Sequence, residues 1–221
     1  MNSEIFDDIR NKGWGYIERV IRELGQDFFP STSGNISAKI DNIVVCTPSS
    51  VSKNKLTPQM LSIVDLDNNL LAGYKQTSEI HLHLEVYKSF PRVNFVIHTH
   101  PFFCCLFSCT SRKIRLDLLA EYYLKIGRIY YVDFKVPGTL ELAKAVVEKV
   151  KKGNRGRNDV AQAVVLMRNH GLVVFSNNLD KAIDLTICTE QIAQLNYFGL
   201  AFRKLNYIPS KYLLELQKRY L

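Results

Sequence analysis

The chain has 221 residues, 47% of them hydrophobic and 23% charged, with a formal net charge of +8. These values are close to ordinary globular composition and supply a sizeable core, so a long disordered segment is excluded. The length fits one domain spanning residues 1–221.

A basic balance admits nucleic acid, an anionic membrane or an anionic small substrate. The lysines and arginines are dispersed, however, and the one dense cluster, "KVKKGNRGR" at 149–157, contains Gly and Asn and reads as an exposed loop. No nucleic-acid-binding module accompanies it, so no nucleic-acid partner is expected. The N-terminus "MNSEIFDDIRNKGWGYI" lacks the pattern of a signal peptide. No apolar run approaches the ~18 residues that span a bilayer, and no membrane partner is expected. Five cysteines without a CxxC spacing read as small, reduced, buried side chains of a cytoplasmic protein.

In chain order, Ile5, Phe6, Ile9, Ile17, Val20, Ile21 and Leu24 follow helical spacing, interrupted by Gly13 and Gly15. "STSGNISAKI" is a turn followed by a strand, and "NIVVCTPSS" a second strand, with Asp41–Asn42 as the hairpin turn between them. "LSIVDLDNN" repeats the strand-then-turn pattern. Residues 78–89 predict a helix with Ser78 as N-cap, stopped by Pro91. A strand follows at 93–98, then a helix from Pro101, the strand "RIYYVDF", and a helix capped by Thr139. "AVVLMR" and "LVVFS" bracket the turn "NHG" as a hairpin, followed by helices at 179–198 and near 209–220. Strands and helices interleave, but the two hairpins require antiparallel pairing. The expected fold is therefore a three-layer α/β/α sandwich around a largely antiparallel sheet.

Chemistry concentrates in "VNFVIHTHPF". His98 and His100 are one position apart, and on a strand i and i+2 share a face. They read either as two ligands of one metal or as a strand end with two solvated rings. His170, in the turn of the late hairpin, is either a third ligand or a turn residue facing water. Its neighbour Gly171 permits a close approach that a side chain forbids. Three imidazoles with an open position suit catalytic Zn²⁺. Glu79, on the first turn of the 78–89 helix, is the candidate carboxylate, although a glutamate there also favours the helix dipole. As the acid/base its pKa is expected nearer neutrality, raised by burial. His81 and His83 diverge on a helix and are poor partners for one metal; His83 reads as a packing or supporting residue. "SGN" (33–35), "TPSS" (47–50) and "TS" (77–78) offer hydroxyls, amides and free N–H groups that together could cradle a phosphate, while singly each is an ordinary turn or cap.

"SGNIS", "TPSS…KLTPQML", "TSEIHLHLEVYKSFPRVNFVIHTHP" and "RNHGLVVF…LDKAIDL" stand in the order and approximate spacing of the class II aldolase/adducin-head family, which the chain resembles from about residue 10 to 200. The resemblance implies that His98, His100 and His170 bind a divalent metal, usually zinc, and that Glu79 acts as acid/base. It implies further that Asn35, Thr47, Thr77 and Ser78 hold a substrate phosphate, and that the protein is a homotetramer with sites at subunit borders. The expected activity is reversible cleavage of a ketose 1-phosphate, as in L-fuculose-phosphate aldolase. Its alternatives are sugar-phosphate dehydration or epimerisation within the family, or a non-catalytic adducin-head-like interaction domain. Two positions depart from the aldolase pattern. Ser50 stands where "TPxG" has glycine, and Leu119 aligns with the tyrosine that aldolases contribute from a neighbouring subunit, with Tyr122 and Tyr123 three and four positions on.

Overall fold

The computed structural model describes residues 3–202 and 205–220. Eight strands form one sheet: β1 (Asn35–Ile40), β2 (Ile43–Cys46), β3 (Ser62–Asp65), β4 (Leu70–Ala72), β5 (Phe95–Thr99), β6 (Ile129–Val132), β7 (Gln162–Met167) and β8 (Gly171–Ser176). Their order is β4-β3-β2-β1-β5-β8-β7-β6. Every neighbouring pair is antiparallel except β6–β7, which is parallel. The helices are α1 (Ser3–Leu24), α2 (Ile80–Ser89), α3 (Phe102–Ser108), α4 (Ala120–Ile126), α5 (Leu140–Gly153), α6 (Leu179–Gly199) and α7 (Ser210–Tyr220).

The strands read as continuous apolar runs because both faces are covered. Along β7, Ala163, Val165 and Met167 pack with α2 and α5, while Val164 and Leu166 pack with α3 and α6. On β2, Val44 and Cys46 face α2, and Val45 between them faces α1. The result is the expected three-layer α/β/α sandwich around a mostly antiparallel sheet. No helix of the described residues is long and apolar enough to cross a membrane.

Local chemistry explains most element boundaries. Asp41 adopts φ +54° in the β1–β2 turn, a conformation that Asp tolerates. Thr139 caps α5 by accepting the Leu142 N–H at 3.3 Å. Helix α2 begins later than its sequence predicts. The Ile80 N–H donates to the Thr77 carbonyl and the Thr77 hydroxyl accepts from the Glu79 N–H, which keeps 77–79 in a turn and makes Glu79, not Ser78, the N-cap. The three residues of β4 are too few to display a period, and α4 starts after Leu119, which supplies no side-chain cap to mark it.

Helix α1 runs unbroken through both of its glycines. Gly13 lies on the sheet side, where an added Cβ would stand 2.6 Å from Val45 Cγ1, whereas nothing lies within 4 Å of one at Gly15. Gly13 therefore lets α1 approach β2, and Gly15 only costs helix propensity. The substitution Gly15→Ala is expected to raise stability by about 0.5–1 kcal/mol. Gly13→Ala should instead lower it by about 1–3 kcal/mol through overpacking. Urea unfolding of the two variants tests this; equal signs would show that the close approach is not what retains Gly13.

Candidate active site

One end of the sheet gathers the polar residues. The β1–β5 register sets Asn35 opposite His98, and the β5–β8 register sets His98 opposite Val173. His100 follows the end of β5, and His170 immediately precedes β8. Glu79 reaches the same point from the N-terminus of α2. Gly171 gives β8 its close approach, for a Cβ there would lie 2.6 Å from His100 Cδ2 and 2.8 Å from the Thr99 carbonyl oxygen.

The three imidazoles converge. Ring centroids lie 4.7 Å apart for His98–His100 and His98–His170, and 5.4 Å apart for His100–His170. One ligand nitrogen from each lies within 4.8 Å of the others. His98 Nδ1 is 2.9 Å from the Leu172 carbonyl, which can only accept, so Nδ1 carries the proton and donates it. That fixes the ring and directs Nε2 inward, the usual support for a metal-bound histidine. His98 Nε2 and His100 Nε2 face each other at 2.9 Å. Three inward-directed imidazoles, one with its tautomer fixed from behind, fit a divalent cation.

Glu79 closes the group. Its Oε2 is 3.0 Å from His98 Nε2 and its Oε1 is 3.1 Å from His170 Nε2. Asn35 Nδ2 donates to Oε2 at 2.9 Å. Burial raises the carboxyl's pKa, but the charges and hydrogen bonds of His98 and His170 outweigh it and hold the group well below the usual carboxylate range. The expected shift toward neutrality is thus reversed, because the compensating imidazoles lie within contact distance. Burial likewise works against protonation of His98, yet Glu79 raises its pKa overall. His100 is pushed down to about 3 by burial and then by the His98 charge.

A cavity of about 350 Å³ opens beside Glu79, His100 and His170. Its wall includes Ser33, Gly34 and Asn35 from the first turn, Ser49 and Ser50 from the second, and Thr77 and Ser78 from the third. Three separate loops that offer hydroxyl and amide groups thus meet at one mouth. Thr47 is buried beneath it, its hydroxyl accepting the Ile36 N–H at 3.2 Å. Ser50 adopts φ +60°, the left-handed region that glycine occupies without strain. The cavity wall contains no tyrosine. Tyr122 donates to Gln191 Oε1, Tyr123 accepts from Gln217 Nε2, and Leu119 lies exposed at the start of α4.

Lys53 escaped the sequence reading, since "VSKNKL" carries no pattern that separates it from a surface lysine. It is 4% exposed, and its Nζ donates to the Thr32 carbonyl at 3.0 Å, behind the cavity wall. Burial lowers its pKa to about 8, against an upward pull from Glu79. An unfolded lysine titrates near 10.4. Below about pH 8 the fold holds a charged ammonium at a cost. Between there and the unfolded value the folded chain binds fewer protons, so stability rises with pH. Relative to Lys53→Met, the native chain should gain on the order of 1–3 kcal/mol between about pH 7 and 10. Urea unfolding across that range tests it, and parallel curves for the two proteins would refute the burial argument.

Comparison with known proteins agrees with this geometry. The family model described as "Class II Aldolase and Adducin N-terminal domain" matches residues 19–197. The chain is similar to an L-fuculose phosphate aldolase of Methanococcus vannielii, at 36% identity over 174 residues, covering 78% of this chain and 88% of that one. It is also similar to a 3-oxo-tetronate 4-phosphate decarboxylase of Haemophilus influenzae, at 28% identity over 89% of this chain and 94% of the relative. A solved L-fuculose 1-phosphate aldolase shares the fold with a TM-score of 0.77 at 19% identity, covering 100% of this chain and 97% of that one. With the matched segment spanning sheet, histidine cluster and cavity alike, the chain belongs to the class II aldolase and adducin N-terminal domain family.

Proposed function

We propose that the chain is a divalent-metal-dependent class II aldolase that reversibly cleaves a ketose 1-phosphate of the L-fuculose 1-phosphate type to dihydroxyacetone phosphate and an aldehyde. The observation that carries this reading is the convergence of His98, His100 and His170 with the Glu79 carboxylate against two of them. The names of the methanococcal relatives support the substrate class.

A divalent cation, zinc in the first instance, held by the three imidazoles would supply Lewis-acid polarisation of the ketose carbonyl and hydroxyl oxygens. Glu79 moves the proton at the carbon beside that carbonyl, removing it in the condensation direction and returning it on cleavage. In its ionised form the carboxylate can accept that proton, and the Asn35 amide holds it in place. Asn35, Thr47, Thr77 and Ser78 are assigned to the substrate phosphate, Thr77 and Ser78 at the cavity wall and Thr47 from beneath. Anchoring the phosphate fixes the distance to the reacting carbons, which lowers the entropic part of the barrier. The whole chain, as one domain, builds this site, and a cytoplasmic setting suits its free cysteines.

A second reading, decarboxylation of a 3-oxo sugar acid 4-phosphate, is favoured by the Haemophilus relative; loss of carbon dioxide likewise leaves an electron pair at the carbon beside the ketone. The protein, reconstituted with zinc, is to be assayed with dihydroxyacetone phosphate plus a panel of aldehydes, and in parallel with 3-oxo-tetronate 4-phosphate for carbon dioxide release. Aldol product with the native chain, and a loss of about 10²-fold or more in Glu79→Gln at unchanged zinc content, is the expected outcome. Carbon dioxide release without aldol product would transfer the assignment to the second reading. No zinc retained after reconstitution would favour a non-catalytic domain.

The homotetramer implied by the family is supported by an exposed aromatic face. Phe102, Tyr197 and Phe198 are 70%, 42% and 54% exposed, and Phe103 packs between them. Light scattering should report a tetramer for the native chain and a smaller species for Phe198→Glu; a monomeric native protein would dismiss the assembly.

A further inference from the structure

Behind Glu79 lies a row of buried polar groups of which only Asn35 has a part in the proposed reaction. Asn35 and Ser37 are i and i+2 on β1 and share a face. Glu79, His83 and Tyr87 are spaced four apart and stack along one face of α2. Strand and helix meet along this line, and each of these groups except Glu79 is buried to 4% exposure or less.

Proton directions along the row follow from what each atom can do. The Glu79 carboxylate only accepts, so the Asn35 amide nitrogen faces it, at 2.9 Å. Asn35 Oδ1 therefore faces His83 Nε2, at 2.5 Å, and that nitrogen must carry a hydrogen. His83 is neutral, its pKa pushed down to about 3 by burial first and then by the His98 charge. A neutral ring has one N–H, so Nδ1 is bare and accepts from the Ser37 hydroxyl at 2.6 Å. With its only proton committed, Ser37 Oγ accepts from Tyr87, whose hydroxyl lies 2.7 Å from it and 3.0 Å from the Ser37 carbonyl. Burial holds the Tyr87 phenol in its protonated form.

We propose that Tyr87, Ser37 and His83 form a one-way chain of donors that holds the Asn35 amide in the orientation which donates to Glu79, making His83 a positioning residue for the proton-moving carboxylate. Every hydrogen bond in the chain points toward Glu79, so each donor polarises the next. Moving the His83 proton from Nε2 to Nδ1 would turn the Asn35 carbonyl oxygen onto the carboxylate and replace attraction by repulsion. The role of Glu79 is taken from the function proposed above; the proton arrangement stands without it.

Histidine-labelled native protein examined by ¹⁵N NMR should show His83 as a neutral ring protonated at Nε2 and bare at Nδ1, unchanged between about pH 5.5 and 8. A ring protonated at Nδ1, or at both nitrogens, would overturn the proposal whatever the protein catalyses. In turnover, His83→Leu should lower kcat by about 10- to 100-fold at retained zinc content, the range seen when a supporting partner of a site is lost. His83→Gln, whose amide can donate to Asn35 and accept from Ser37, should recover to within about fivefold of native kcat. Leucine and glutamine variants with equal kcat would also overturn it. If Glu79→Gln abolishes cleavage while the His83 tautomer is wrong, this inference alone fails. The correct tautomer in a protein without aldol activity would instead retire the function and leave the chain of donors standing.

Discussion

A carboxylate cannot be buried by itself, and the arrangement around Glu79 follows from that constraint. The group is 7% exposed at the end of a sheet whose faces are otherwise filled with Val, Ile, Leu and Phe. Its oxygens are met by His98, by His170 and by the Asn35 amide. Each arrives on a different element: the end of β5, the turn before β8, and the first residue of β1. Those elements are neighbours in the sheet, so the charge at the tip of α2 and the order of the strands are two aspects of one requirement.

The same constraint explains why polar groups persist so deep in the molecule. A half-satisfied buried network is less favourable than an apolar core, whereas a fully connected one specifies a unique arrangement. Asn35, Ser37, His83 and Tyr87 occupy positions where the surrounding cluster is aliphatic and aromatic, yet each finds a partner in the next. The row runs from the middle of the α2–sheet interface to the histidine cluster. It converts the rigidity of that interface into a fixed orientation at one carboxylate, which is what precise placement of a reacting group needs.

The cavity beside this centre has a different character. Its walls come mostly from three turns, which present hydroxyls and backbone groups. Lys53 stands behind the wall as a buried cation, and Ser50 holds a left-handed conformation in it. In the proposed reaction, groups at the ends of β1, β5 and β8 and at the tip of α2 would act on the reacting carbons, while the loops would shape the space for the remainder of the substrate. Loops vary more readily than the scaffold that carries them, and the relatives of this chain bear the names of both an aldolase and a decarboxylase.

Sequence alone determined the layer architecture, because runs such as "AVVLM" and "LVVFS" must be covered on both faces while their hairpin turns force antiparallel pairing. It also singled out the ligand candidates, since imidazoles are few and two stand at i and i+2 on a strand, and family resemblance added the role of Glu79. Sequence placed Glu79 at the N-terminal end of α2 but set the start of the helix too early, because the Thr77 hydroxyl and carbonyl hold 77–79 in a turn. Nor could it supply the direction of the Glu79 pKa shift: burial alone predicts a rise, and only the approach of His98 and His170 reverses it. Lys53 and the Tyr87–Ser37–His83–Asn35 row were invisible for the same reason. Periodicity reports which side chains share a face, but a hydrogen-bond partner 44 to 50 residues away is chosen by how strand and helix pack.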